Sequence, residues 1–180
     1  MVVGLVLINH CCSSCYGCWE EERIALLHLK AFFSYPDGPS LFNWSEKQRE
    51  ADCCKWTDIL ECDTTTKRVI GLSLGSSMDR SMRNRYLNAS LFLPFKELKS
   101  LTLADSNFVG CFQNQGFQVL SPRLRNLEVL DLSFIKFNGS ILLSLSGFSS
   151  LKSFYLTANM LTGSTRINGK VSCGLKKLPL

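Results

Sequence analysis

Apolar residues in this chain recur in a spaced block, not at the spacing of one continuous helix face. Val69-x-x-Leu72-x-Leu74 is followed by Leu98-x-x-Leu101-x-Leu103, Leu127-x-x-Leu130-x-Leu132, Leu151-x-x-Phe154-x-Leu156 and Leu175-x-x-Leu178-x-Leu180. The closing Leu-x-Leu of a block puts two side chains on one face and the residue between them on the other, which predicts a short strand of period two. Amphipathic helices with leucine at i and i+3 do not account for that alternation, nor for the punctuation that follows each block. Ser106, Phe108 and Gly110 follow the second block, Ile135, Phe137 and Gly139 the third, and Asn159, Leu161 and Gly163 the fourth. The Ser/Ile/Asn position is where the chain leaves the strand and turns, and an Asn amide there satisfies backbone groups that an inward-turning loop strands. The glycine then admits a backbone conformation that a Cβ penalises.

The last leucines of the blocks stand at 74, 103, 132, 156 and 180, giving steps of 29, 29, 24 and 24 residues. Those lengths fall in the range of leucine-rich repeats, which stack into a solenoid. The consensus LxxLxLxxNxLxG resembles the plant-type extracellular repeat, whose unit is 24 residues. Only Asn159 fills the Asn position, with Ser77, Ser106 and Ile135 in the earlier units, so the ladder of buried amides is expected to be interrupted in the first three turns. The extra residues of the 29-residue steps are expected to loop out on one face.

A solenoid exposes apolar edges at its ends and needs caps there. Residues 18–33 read as a cap helix, with Glu20, Glu21 and Glu22 near the positive end of its dipole, Ile24, Leu27 and Ala31 on one face, and Pro36-Asp-Gly-Pro39 ending it. Trp44 follows, then Asp52-Cys53-Cys54-Lys-Trp56-Thr-Asp-Ile-Leu-Glu-Cys62, leading into the first block. This arrangement resembles the N-terminal cap of plant leucine-rich-repeat receptor-like proteins, receptor kinases and polygalacturonase inhibitors, where CCxWxGVxC precedes the first strand. Asp58-Ile59 stands where that family has Gly-Val. The resemblance runs from Cys18 to the end of the sequence. It implies bridges Cys18 to Cys53 and Cys54 to Cys62, although four cysteines by themselves allow three pairings. Cys111 and Cys173 are then expected to be lone buried thiols.

The expected fold is an α/β leucine-rich-repeat solenoid, curved, with parallel strands on its concave face and a disulfide-bonded helical cap at its N-terminus. Residues 1–17 are expected to be a signal peptide, 18–66 the cap, and 67–180 four repeats and the start of a fifth. The sequence stops inside that fifth strand with no closing cap, so C-terminal truncation is expected. Expressed alone, such a chain is expected to expose an unpaired strand edge and aggregate; a sharp, reversible, monomeric unfolding transition would contradict this.

Composition narrows the function. With 46% hydrophobic and 19% charged residues the chain has the apolar content of an ordered domain. A net charge of +5, spread out and without a recognised motif, does not indicate nucleic-acid binding. The apolar run from Met1 to Ile8 reads as a short secretory signal lacking a preceding Lys or Arg. Cleavage after Gly17 removes Cys11, Cys12 and Cys15 and leaves six cysteines, an even set suited to an oxidising compartment. The sequons Asn43-Trp-Ser45, Asn88-Ala-Ser90 and Asn138-Gly-Ser140 agree with secretion and make Asn43, Asn88 and Asn138 candidate glycosylation sites. No later segment has the roughly 18 consecutive apolar residues of a spanning helix.

The overlapping CxxC spacings in Cys12-Ser-Ser-Cys15-Tyr-Gly-Cys18 lack the βαβ surroundings of a redox motif. His10 and His28 are the only histidines, and His28 falls within the cap helix, packing on the first repeat or facing solvent. No phosphate loop or kinase motif is present. The chain is therefore read as a binding module without catalytic, cofactor or metal residues.

Parallel strands of a solenoid display their outward side chains in register. The central outward positions are Ser73, Thr102, Asp131, Tyr155 and Pro179, with Gly75, Ala104, Ser133 and Thr157 two places on. Thr102, Asp131, Tyr155 and Thr157 are the candidate ligand contacts, Tyr155 being the one aromatic anchor. Arg80, Arg83 and Arg85 form the most basic stretch and are expected in a solvated loop. The family resemblance implies an extracellular recognition module, secreted or on the outer face of the plasma membrane. It implies a peptide, protein or microbial ligand in defence or developmental signalling, and a membrane segment and co-receptor kinase supplied from outside this chain. The alternatives are a soluble wall protein resembling polygalacturonase inhibitors, whose repeats are more uniform than these, and a truncated, non-signalling product.

Overall fold

The computed structural model describes residues 18–33, 52–56, 60–75 and 85–161. Helix α1 (Glu20–Phe33) opens it. Strands β1 (Leu60–Cys62), β2 (Val69–Ser73), β3 (Arg85–Leu87), β4 (Ser100–Thr102), β5 (Phe108–Cys111) and β6 (Val129–Asp131) follow, then the short helix α2 (Ile141–Leu145) and strand β7 (Ser153–Tyr155). The main sheet has the order β1-β2-β4-β6-β7. From β2 onward its pairs are parallel and advance one repeat per strand, with Leu72 opposite Leu101, Leu101 opposite Leu130 and Leu130 opposite Phe154.

The leucine blocks build the interior as their period predicts. Val69, Leu98 and Leu127 form one buried row, Leu72, Leu101 and Leu130 a second, and Leu74, Leu103 and Leu132 a third. Behind the strands, three-residue and four-residue 3₁₀ turns bring Phe92 and Phe117 into the same core, joined by Phe95, Phe108 and Phe137.

Three features depart from the sequence reading. First, the extra residues of the 29-residue steps do not simply loop out: β3 and β5 pair in parallel as a second, two-stranded sheet. Secondly, α1 buries a different stripe from the one expected. Glu22, Ala25, Leu26, Leu29 and Phe33 face inward, whereas Ile24 is 43% exposed and Ala31 lies in solvent. The helix is rotated because its last turn stacks on the second sheet, Phe33 edge-on to Phe108 at 5.7 Å and Phe32 flat on it at 6.2 Å. His28 is exposed. Thirdly, Arg85 is not a solvated loop residue: its guanidinium donates to the Phe32 carbonyl and lies 4.8 Å over the Phe32 ring. Arg80 and Arg83 lie outside the described residues.

The cap closes the leading edge of the main sheet with β1, which pairs antiparallel to β2. The connection turns on Asp63, whose carboxylate accepts from Thr65 N, Thr66 N and the Thr66 hydroxyl, and on Lys67 at φ 57°. Bridges join Cys18 to Cys53 and Cys54 to Cys62. Glu22 is fully buried, accepting from Val69 N at 3.1 Å and lying 3.3 Å from Arg68. Arg68 in turn pairs with Glu21 at 2.7 Å and stacks 3.6 Å over Trp19, so the helix is tied to the first strand of the array at its N-terminal turn.

The turn leaving each strand is left-handed at the same place in three successive units: Asp105 at φ 60°, Phe134 at φ 56° and Ala158 at φ 56°. Each follows its block's last leucine by two residues. Gly110 has no such conformation; a Cβ there would meet the Tyr86 ring at 3.3 Å, so the consensus glycine provides room instead.

The amide ladder is interrupted as expected at Ser106 and Ile135, while Ser77 lies outside the described residues. Ser106 is buried and returns its hydroxyl to its own strand's Leu103 carbonyl, and Ile135 is buried and apolar. Among the described residues of that position, Asn159 is the one that spans two turns, donating to Leu132 O at 2.6 Å and Leu156 O at 3.1 Å and accepting from Phe137 N at 3.0 Å. Asn159→Ala strands these backbone groups and is expected to cost about 2–3 kcal/mol, with Asn159→Asp losing at least as much, because it keeps the acceptor for Phe137 N but turns a carboxylate oxygen toward the Leu132 and Leu156 carbonyls; urea unfolding midpoints measure both.

Candidate binding face

The outward face of the main sheet is assembled by register. Ser73 stands opposite Thr102, Thr102 opposite Asp131, and Asp131 opposite Tyr155. Neighbouring strands lie about 4.8 Å apart, so four side chains from four strands form one straight row. The backbone ladder that fixes the row continues past the strands, through Leu74 N to Thr102 O, Leu103 N to Asp131 O and Leu132 N to Tyr155 O, each within 2.9 Å. Thr102 and Asp131 are half-buried, Ser73 and Thr157 exposed, and Tyr155 46% exposed. Asp131 spends one carboxylate oxygen on Ser133 N at 2.9 Å, which orients the side chain and leaves the other oxygen for a donor.

The second expected row fares differently. Ser133 and Gly75 are buried, and a Cβ at Gly75 would strike the Ala104 carbonyl, so neither offers a side chain to a partner. The left-handed residue Phe134 follows Ser133 directly, and alternation ends with the strand. The complementary row lies on the other side of the central one. Gly71, Ser100, Val129 and Ser153 are in register, and β1 extends them with exposed Glu61 opposite Gly71. Period two counted backward from Asp131 reaches Val129, so that part was available in the sequence; Glu61 was not, because nothing in the cap marks β1 as antiparallel.

The face is small, polar and mildly acidic at its leading edge. It has one aromatic anchor at its trailing end, a surface for weak, extended contact more than for a deep pocket. Among the described residues no three His, Cys, Asp or Glu side chains gather as a metal site would require, and no described helix is long and apolar enough to cross a membrane. Cys111 is a half-buried free thiol, pushed up by burial to about 11 from an ordinary 9.0. Its alkylation by iodoacetamide at pH 8 is expected to be roughly a hundredfold slower than that of an exposed cysteine, read by mass spectrometry. Cys173 lies outside the described residues. Of the three sequons, Asn88 and Asn138 each accept from the Ser two residues on, through its N–H and its hydroxyl. Asn43 lies outside the described residues.

Residues 20–63 match the leucine rich repeat N-terminal domain family. The chain is 38% identical over 147 residues to receptor-like protein 9b of Arabidopsis thaliana, covering 82% of this chain. It is 38% identical over 173 residues to Cuscuta receptor 1 of Solanum lycopersicum, covering 90% of this chain. In both cases it spans 15% of the relative's own length. Among solved structures, the leucine-rich-repeat ectodomain of the Arabidopsis receptor kinase HAESA, in complex with the peptide hormone IDA and the co-receptor SERK1, superposes with a TM-score of 0.53 at 26% identity. That match covers 79% of this chain and 26% of that one. In its cap, its repeats and its relatives, this chain belongs to the plant leucine-rich-repeat receptor-like proteins.

Proposed function

We propose that the chain is an extracellular recognition module from the leading end of a receptor-like protein, one that receives a peptide, protein or microbial ligand along its concave sheet. The observation that carries this reading is the in-register row of Ser73, Thr102, Asp131 and Tyr155 on a scaffold whose relatives are receptors. HAESA is a related scaffold that takes a peptide hormone and a co-receptor. On this reading the ligand of this protein runs across the strands along that row, toward Tyr155 and Thr157. Signalling passes through a partner kinase, and the module works on the outer face of the plasma membrane. The N-terminal segment 1–17 acts as its secretion signal, and Asn43, Asn88 and Asn138 carry glycans.

Sequencing a full-length transcript across the codon for Leu180 tests the reading. Continuation in frame through more repeats to a spanning helix supports it. Continuation to a closing cap without a spanning helix replaces it with a soluble wall protein resembling polygalacturonase inhibitors. A stop at Leu180 replaces it with a truncated, non-signalling product.

A further inference from the structure

The second sheet carries an aromatic surface that recognition along the concave face does not use. Its inner side is core: Leu87 is fully buried and Cys111, opposite it in register, is half-buried. Its outer side holds Tyr86 and Phe112, 51% and 46% exposed, with ring centroids 6.0 Å apart and tilted by 40°. Gly110, opposite Tyr86, leaves the floor on which the Tyr86 ring lies, and any Cβ there would press on it. Two adjoining half-exposed rings on a sheet of two short strands make a contiguous apolar patch that a partner can cover.

The covering group is identified by what stands beside the rings. Asn88 follows Tyr86 by two residues and keeps an extended backbone, φ −93° and ψ 93°, so its side chain continues the strand's alternation onto the same outer side as Tyr86. Its Oδ1 is held by Ser90 N at 3.1 Å and by the Ser90 hydroxyl at 2.5 Å. Those bonds fix the plane of the amide and leave Nδ2, the atom that bears an N-linked sugar, outside them. A sugar ring presents C–H bonds of partial positive character on one face, which suit the negative face of an aromatic ring. We propose that Tyr86 and Phe112 form the seat of the first sugars of a glycan on Asn88, so that the glycan lies down on the second sheet as a covalently attached cover. The proposal rests on the reading of the chain as a glycosylated, secreted protein.

Asn138 supplies an internal control. It has the same local geometry, its Oδ1 accepting from Ser140 N at 3.0 Å and from the Ser140 hydroxyl at 2.5 Å, but Lys136 stands where Tyr86 stands in the other sequon. The test is native-state trimming of the secreted full chain by an endoglycosidase that cuts between the first two sugars, followed by site-resolved mass spectrometry. Stacking shields that bond, so trimming at Asn88 is expected to be on the order of three- to tenfold slower than at Asn138, a ratio matching the usual range of pairwise coupling. Tyr86→Ser and Phe112→Ser should each raise the Asn88 rate while leaving Asn138 unchanged, and Tyr86→Trp should restore protection. Both rings are about half exposed, so the serine variants should keep the fold, and an unchanged Asn138 rate checks that they do. Unchanged trimming of an occupied Asn88 in the serine variants overturns the seat alone. An Asn88 without sugar in the secreted chain overturns the glycosylation reading at that site and the seat with it.

Discussion

Glu22→Ala is expected to destabilise the cap by about 3 kcal/mol, the upper end of the cost of leaving a buried backbone donor without its acceptor. The carboxylate is completely enclosed, and its removal leaves Val69 N–H without its acceptor and deprives Arg68 of one of its two anionic partners. Glu22→Gln keeps an acceptor and should lose less. Burial raises the Glu22 carboxyl above its ordinary value of 4.5, against the lowering effect of Val69 N–H and Arg68. The folded chain therefore holds this proton more tightly than the unfolded one. The stability that protonation of Glu22 contributes is fully present below pH 4.5 and is lost as pH rises through the raised value. Glu21, lowered chiefly by its bond to Arg68, acts in the opposite sense: its contribution is present above 4.5 and lost as pH falls through the lowered value. Urea unfolding of wild type and Glu22→Ala across the acid range isolates Glu22, because the variant should lose its opposing contribution and retain the slope of Glu21 and of Asp63, which the Thr66 and Thr65 hydrogen bonds also lower. Equal pH profiles for the two proteins would show that Glu22 does not hold its proton as the buried site requires.

Removing the Cys18–Cys53 bridge as Cys18→Ser/Cys53→Ser is expected to cost about 4 kcal/mol, and removing Cys54–Cys62 about 2.5 kcal/mol. The difference follows from loop length, since the first bridge spans 35 residues of sequence separation and the second 8. The first also ties the start of α1 to the turn that leads into β1, so its loss should release the helix from the array, whereas the second only braces that turn to the end of β1. Amide hydrogen exchange resolves this: in the first variant, protection should fall throughout α1 while β4 and β6 retain theirs. Uniform loss across α1, β4 and β6 would mean that the cap and the repeats unfold as one unit.

The residues that made the repeat legible are those whose role is set within a few positions of themselves. Leu72, Leu101 and Leu130 fall in one buried row because period two along a strand fixes which face each one takes, whatever lies further away. The Asn position behaved in the same way: Asn159 bridges turns, while Ser106 and Ile135 do not. The cap was legible as a resemblance, through Cys18, Cys53, Cys54, Cys62 and Trp56, more than as a derivation. Of the candidate contacts, Thr102, Asp131 and Tyr155 share a face because register between equal blocks is itself a sequence property.

What the sequence by itself determined was the strand-and-turn unit, its stacking direction and the outward row it displays, because short-range alternation and side-chain volume decide these. The tertiary structure alone decided the rotation of α1, which turns on where Phe32 and Phe33 meet Phe108, and the enclosure of Glu22, which reads from sequence as one more acidic residue at a helix start. It also decided the antiparallel strand β1 and the pairing of β3 with β5. Each of these joins segments from different units or from the cap. Their partners are chosen by the space and the unpaired backbone groups that the packed array leaves, and no local pattern encodes that choice.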